Sequence, residues 1–291
     1  MGKHNQDKCY LCESQNLAKR DGQVRDDSSL DILECQDCGL VFLSDNKHIS
    51  EDHYEISGMH GAERPDAKAW LNENKADDTR RLEFLRQKIV NKDIIDFGCG
   101  IGGFIEKARD HCMSVAGIEL EKAFIPSFQE RKLDVFQSLH VALESSKKWD
   151  LVSAFHVVEH LTDPRETLML LTGLLKSGGE LIVEVPSSND ALLTHYHCEA
   201  FKKFTYWSQH LYLFNIHTFE MLIKQAGLQL QWIKGVQRYP LSNHLYWMSE
   251  GKPGGHQTWS FLDSPCLKEA YEANLASLGI TDTIMASITV K

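Results

Sequence analysis

The sequence has no run of about 18 consecutive apolar residues, so nothing in it reads as a membrane-spanning helix. Its first residues, Met1 to Lys8, are polar and lack the apolar stretch of a signal peptide. A basic excess is missing too: 31 Lys and Arg stand against 41 Asp and Glu, a formal charge of −10, and no global field draws the chain to a polyanion. Internal repeats and low-complexity tracts are absent. These absences predict a soluble, cytoplasmic protein that meets a small molecule, with no membrane partner and with nucleic acid disfavoured; oligomeric state is left open. What is present is ordinary for a globular chain: 291 residues, 42% hydrophobic and 25% charged, enough for one α/β domain and a small appendage.

Four of the eight cysteines fall as Cys9-x-x-Cys12 and Cys35-x-x-Cys38, two short knuckles able to bring four thiolates to one tetrahedral Zn2+. Disulfides between them would need an oxidising compartment that nothing else in the sequence supports. Residues 1–48 therefore read as a zinc-binding ribbon, too small for a core of its own. Lys19 to Ser29 reads as its mobile loop and Gly39 to Phe42 as its closing strand. Acidic side chains outnumber basic ones in it, which suits a structural or substrate-covering part better than an RNA-delivering one. Cys99, Cys112, Cys198 and Cys266 read as buried small apolar groups. Residues 49–91 form a helical connector, with Leu82, Leu85 and Ile89 at helical spacing and arginine and glutamate on the other face.

From residue 92 to the end, short apolar runs alternate with helical patterns: Ile94 to Phe97, Ser114 to Leu120, Leu151 to Phe155 and Gly179 to Val185. That βαβ rhythm predicts a parallel sheet with helices on both faces. Between the first run and the next helix lies Asp96-Phe97-Gly98-Cys99-Gly100-Ile101-Gly102-Gly103, a G-x-G-x-x-G loop in strand-to-helix context. Glu119, about twenty residues on, is placed to accept both hydroxyls of a ribose. Asp96 separates the possible nucleosides, because a carboxylate beside the loop would repel the pyrophosphate of NAD. S-adenosylmethionine carries an ammonium and a sulfonium instead, so the charge logic favours a methyl donor over a hydride donor.

The blocks I94-I-D-F-G-C-G-I-G-G, G117-I-E-L, W149-D-L-V-S-A-F-H-V-V-E-H-L and L174-L-K-S-G-G-E-L-I-V-E-V-P, in this order and spacing, resemble the class I S-adenosylmethionine-dependent methyltransferases. The resemblance implies a seven-stranded, doubly wound, Rossmann-like α/β sheet whose last strand is antiparallel, with Gln229 to Val236 and Asp282 to Val290 as its final pair. It also implies that Asp96, Gly98 and Gly100 hold the methionine portion of the donor, Glu119 the ribose, and Phe136, Gln137 and Ser138 the adenine edge, while Phe155 and His156 line the transfer point. With the zinc module, the chain more narrowly resembles bacterial methyltransferases of sugar-nucleotide and surface-polysaccharide pathways. Some of these place a Glu-His pair before L-Y-x-F; here the run is Gln209-His210-Leu211-Tyr212-Leu213-Phe214, and the missing glutamate turns the expectation from a carbon to a hydroxyl acceptor.

Transfer to a hydroxyl needs alignment and a base, and histidine suits the base. His210 is the expected base and His156 the second choice. The segments 187–215 and 239–279 are long insertions at the ligand edge of the sheet and read as substrate covers, with Tyr206, Tyr212, His244 and Lys252 as substrate contacts. Glu159 and His160 have a plainer reading as a helix start with a surface histidine. His195 and His197 have metal-ligand spacing but no third partner in view. An RNA methyltransferase guided by the ribbon and a non-catalytic donor-binding module are the other functional readings.

Overall fold

The computed structural model describes residues 7–50, 53–55 and 66–290; the rest of the connector, 51–52 and 56–65, lies outside the described residues. Three short strands open the chain, β1 (Leu17–Lys19), β2 (Ile32–Cys35) and β3 (Val41–Leu43). The remaining strands are β4 (Asp93–Phe97), β5 (Ser114–Ile118), β6 (Val135–Phe136), β7 (Trp149–Phe155), β8 (Leu175–Pro186), β9 (Tyr212–Leu213), β10 (Gln229–Val236) and β11 (Thr283–Thr289). Seven of them form one sheet in the order β10-β11-β8-β7-β4-β5-β6. The neighbours from β8 to β6 pair in parallel, whereas β11 runs antiparallel to both β8 and β10. The expected seven-stranded topology, with its reversed final strand, is what the chain adopts.

Strand residues alternate between two buried faces, as the two-residue repeat of a pleated strand requires. Ile95, Val152, Val183 and Ala286 join one cluster, and Ile94, Leu151, Ile182 and Met285 the other. Helix α1 (Ala67–Ile89) and α2 (Gly103–Ala108) cover the second face through Leu82, Leu85, Ile89, Phe104 and Ile105. The helices α3 (Ile125–Arg131), α4 (Leu139–Glu144) and α5 (Pro164–Thr172) follow along the chain, and α4 and α5 pack on the first face. The start of α5 is fixed by Asp163, whose carboxylate accepts from the Glu166 N–H at 3.1 Å, and by Pro164 just inside the helix.

The face of α1 read as solvent-facing is in part turned inward. Glu184 on β8 is fully buried and accepts from Arg80 Nη1 and Nη2, both at 2.9 Å, and from Arg81 Nη2 at 3.0 Å. On the same sheet face, two strands away, Asp96 on β4 is buried and accepts from the Ser153 hydroxyl at 2.6 Å. This half of the sheet face is polar, so the helix over it carries arginines where an apolar face would carry leucines. Burial pushes the Glu184 carboxyl up, but the arginines and His156 outweigh it and hold the group well below the usual range.

The insertion 187–215 contains α6 (Ala191–Thr194), α7 (Glu199–Lys202) and β9, and its place corrects the expectation of a simple cover. Strand β9 pairs antiparallel with β3, Phe42 opposite Tyr212 and Val41 opposite Leu213, so the ribbon's sheet is completed by the large domain. Nor is Lys19 to Ser29 a free loop. Arg20 donates to the Ser188 carbonyl at 2.6 Å and to the Tyr206 hydroxyl at 3.0 Å, the Arg25 N–H donates to the Tyr206 carbonyl at 2.9 Å, and Asp26 accepts from the Ser208 hydroxyl at 2.6 Å. Ribbon residues Cys9, Tyr10, Leu11 and Phe42 belong to the same hydrophobic cluster as Phe219, Leu222 and Ile223 of helix α8 (Ile216–Gln225). The second insertion holds α9 (Leu241–Glu250), α10 (Gly255–Thr258) and α11 (Pro265–Leu278).

Candidate active site

A cavity opens at the carboxyl ends of β4 and β5, where open α/β sheets bind ligands. Gly98, Gly100, Glu119, Leu120 and Glu121 line it, with Trp70, Phe124, His156 and His160 among the walls. The loop geometry explains its glycines. Gly98 has φ +69°, and a Cβ there would lie 2.4 Å from the Val157 side chain; Gly100 has φ +54° and open space where a side chain would go. Glu119 accepts from the Gly100 N–H at 2.8 Å and from the Glu121 N–H at 2.9 Å, which fixes its carboxylate at the rim; burial raises its pKa. Apolar walls, a fixed carboxylate and close-approach glycines fit a nucleoside with a polar tail.

A second cavity adjoins the first and shares His156 with it. Arg25, Phe204, His210, Tyr239, His244 and Trp247 are among its lining residues. His156, with φ +54°, is the turn that ends β7. Its Nδ1 stands 3.2 Å from Glu159 Oε1, and its Nε2 stands 3.3 Å from Glu184 Oε1 and 3.2 Å from Arg238 Nη1. Burial and Arg238 push its pKa down, but the two carboxylates outweigh them and the net shift is upward. Arg238 is in turn held by Asp77, whose carboxylate accepts from its Nε at 3.1 Å. His210 is pushed down to about 3 by burial and by His160, and its Nδ1 is buried without a partner. Arg25 lies at the exposed rim, with its guanidinium 5.1 Å from the Phe204 ring centre and 4.9 Å from that of Trp207. Asp190 is pushed up to about 8 by burial and by Asp282 nearby.

The candidate residues read from the sequence divide between these cavities and the packing around them. Gly98, Gly100, Glu119 and His156 line the first, and His156, His210 and His244 the second. Asp96 and Phe155 lie beneath the first cavity rather than in its lining: Asp96 is tied to Ser153, and Phe155 packs on Phe104 under the Arg81 guanidinium. Phe136, Gln137 and Ser138 are also absent from its lining. Phe136 belongs to β6, and Ser138 caps α4 by accepting from the Val141 N–H at 3.2 Å. Tyr206 and Tyr212 are seam residues and line neither cavity; Tyr206 is buried under Gly22 and bonded to Arg20, and Tyr212 packs on Tyr10 with ring centres 5.1 Å apart. Lys252 is exposed, its Nζ 5.9 Å from the Tyr246 ring centre, and only its neighbours Pro253 and His256 line the cavity. His195 and His197 are exposed.

Reading the sequence passed over Arg25 and Arg238, and left Glu159 and His160 between a functional group and a helix start. Glu159 and His160 are buried, at 0% and 6% exposure, not a surface helix start. The signal available was the spacing H156-x-x-E159-H160, which a tight turn after a strand folds onto one spot. Arg25 and Arg238 gave no signal, since each reaches the site through tertiary contact.

In the ribbon, the sulfurs of Cys9, Cys12, Cys35 and Cys38 all lie within 4.8 Å of one another. Cys9 and Cys38 are 3.5 Å apart and Cys12 and Cys35 3.4 Å, far beyond a disulfide bond and near the roughly 3.8 Å edge of a tetrahedron with Zn–S of about 2.3 Å. The donor set and spacing fit a structural zinc ion.

Comparison with known proteins bears on the large domain. A family described as "Methyltransferase domain" matches residues 69–231. Curated relatives include the ubiquinone biosynthesis O-methyltransferases of Coxiella burnetii, 25% identical over 176 residues covering 56% of this chain and 75% of theirs, and of Hydrogenovibrio crunogenus, 25% identical over 216 residues covering 67% and 88%. Among solved structures, a methyltransferase from Thermotoga maritima titled a possible histamine N-methyltransferase is similar, with a TM-score of 0.49 at 18% identity over 77% of this chain and 94% of its own. The matched segment runs from α1 into β10 and takes in the glycine loop, Glu119 and the His156 turn, and the chain belongs to the methyltransferase-domain family as an S-adenosylmethionine-dependent methyltransferase.

Proposed function

We propose that this enzyme methylates a hydroxyl of a small molecule that carries a ring and an anionic group, a nucleotide sugar being one such acceptor, and that His156 takes the hydroxyl proton. The observation that carries the reading is the position of His156 in the lining of both cavities, where the methyl of the donor and the hydroxyl of the acceptor must meet. In the step, the acceptor oxygen forms its bond to the methyl carbon as the carbon–sulfur bond breaks. That electron pair stays on sulfur, and the hydroxyl proton passes to His156 Nε2 in exchange for the Arg238 contact, since a guanidinium can only donate to that nitrogen. Glu159 at Nδ1 and Glu184 beside Nε2 stabilise the resulting imidazolium. This ranks His156 ahead of His210, whose depressed basicity makes it the weaker base at neutral pH.

The aromatic rings of Phe204, Tyr239 and Trp247 suit a ring, and Arg25 at the rim suits the anion in place of Lys252. The curated relatives are named as O-methyltransferases of a small molecule, which favours oxygen. The four ribbon cysteines hold zinc for folding. The test is calorimetric titration with S-adenosylhomocysteine, then thermal-shift screening of the complex against nucleotide sugars, hydroxylated aromatic acids and short RNA, then mass spectrometry of turnover products. Expected are micromolar binding, stabilisation by an anionic ring compound, and a methyl ether. A product methylated on nitrogen or carbon, or stabilisation by RNA alone, overturns the reading.

A further inference from the structure

Glu159 is fully buried, yet neither of its carboxylate oxygens has a hydrogen-bond partner, although His156 Nδ1 stands 3.2 Å from Oε1. His156 supplies one counter-charge when protonated, but a buried carboxylate with both oxygens outside any hydrogen bond still has room for a second cation. Two further ligand atoms converge on it: one nitrogen each of His160 and His210 lies with a Glu159 oxygen inside a span of 4.8 Å. His160 Nδ1 is 2.8 Å from the Gln209 carbonyl and must donate to it, so the lone pair of this imidazole is on Nε2, 3.9 Å from Glu159 Oε1. His210 brings a buried Nδ1 with no partner. The group supporting them is itself held, since Gln209 Oε1 accepts from His53 Nε2 at 2.7 Å.

We propose that Glu159, His160 and His210 bind a divalent first-row transition metal ion in the wall between the donor and acceptor cavities. One carboxylate and two neutral imidazoles form a three-ligand set that leaves coordination positions open, as catalytic rather than structural ions require. Imidazole donors favour zinc, iron, cobalt or nickel over magnesium. The outward nitrogen of His160 is fixed by a backbone carbonyl, the arrangement that orients histidine ligands in metal sites. His160 lines the donor cavity and His210 the acceptor cavity, so the ion stands where an acceptor hydroxyl arrives and lowers the pKa of that hydroxyl. The ion's role rests on the hydroxyl-transfer reading; its presence does not.

The experiment uses the full chain with its cysteine site saturated by zinc, titrated with Co2+ and followed by visible absorption and metal analysis. Expected is one further equivalent with weak bands of a nitrogen–oxygen site and no thiolate charge-transfer band. Glu159→Gln and His210→Asn should each weaken it by roughly 100-fold or more, His195→Ala should leave it unchanged, and millimolar Mg2+ should not compete. Melting and S-adenosylhomocysteine binding establish that each variant is folded, and two variants at different ligands guard against loss of one. No second Co2+ in the wild type, or undiminished binding in folded Glu159→Gln, overturns the site. A methylated nitrogen in the product of a Co2+-binding enzyme overturns the hydroxyl reading and leaves the site standing.

Discussion

The cysteine cluster of the ribbon and the Glu159–His160–His210 group of the large domain both gather ligands within 4.8 Å, but they are assembled in opposite ways. The cysteines come from two short knuckles in one small sheet and lie near the surface, with Cys12 and Cys38 only partly buried. The second group draws two residues from a turn after β7 and one from a distant insertion, deep between two cavities. An ion held by the first cluster would hold a fold together; one held by the second would depend on a fold already made.

The largest effect that would sharpen this contrast is Cys12→Ser. Because the ribbon shares one hydrophobic cluster and a β-strand pairing with the large domain, loss of the zinc ion we propose for it should remove donor binding as well as ribbon structure. Circular dichroism and calorimetry with S-adenosylhomocysteine check this; a ribbon-unfolded protein that still binds the donor would break the comparison. Arg25→Ala asks whether the ribbon also does chemistry. Losing one charge-assisted contact at the rim should raise KM for an anionic acceptor by about tenfold, with kcat within a factor of about three. An unchanged KM would return the ribbon to a purely structural part.

The smallest effect concerns Asp190, which neither cluster uses. Its folded pKa of about 8 lies above the unfolded value near 3.9, so its burial is tolerated below about pH 4 and costs increasing stability as pH rises to about 8. Asp190→Asn keeps a side-chain oxygen for the Leu192 N–H, which the aspartate now accepts at 2.7 Å. The variant should therefore lose less of its melting temperature between pH 5 and 8 than the wild type does. Parallel melting curves would show Asp190 to be charged in the fold.

The same local-versus-assembled distinction explains what could be read without coordinates. Strands β4, β5, β7 and β8 are legible as dense apolar runs between turn signals, β10 and β11 only through the family resemblance, and the glycine loop because its spacing is local. The inward turn of Arg80 and Arg81 was not, since helical periodicity separates polar from apolar faces but does not say that the sheet beneath is polar. Tyr206 and Tyr212 looked like sugar-binding aromatics because composition cannot tell a rim from a seam. Glu159 is visible in the sequence as a charge that fits either a functional group with His156 and His160 or a helix start; what decides between them is its burial, which sequence does not state.

The pairing of β3 with β9 also sets a schedule for synthesis. Val41, Phe42 and Leu43 leave the ribosome long before Tyr212 and Leu213, their partners, are made. At about 5–20 residues per second the ribbon waits roughly ten to thirty seconds with an apolar edge uncovered. In that interval the nascent chain is a substrate for holdase chaperones and for strand pairing between neighbouring chains on one message, so the seam that makes the finished enzyme one body makes its early intermediate the stage most exposed to misassembly.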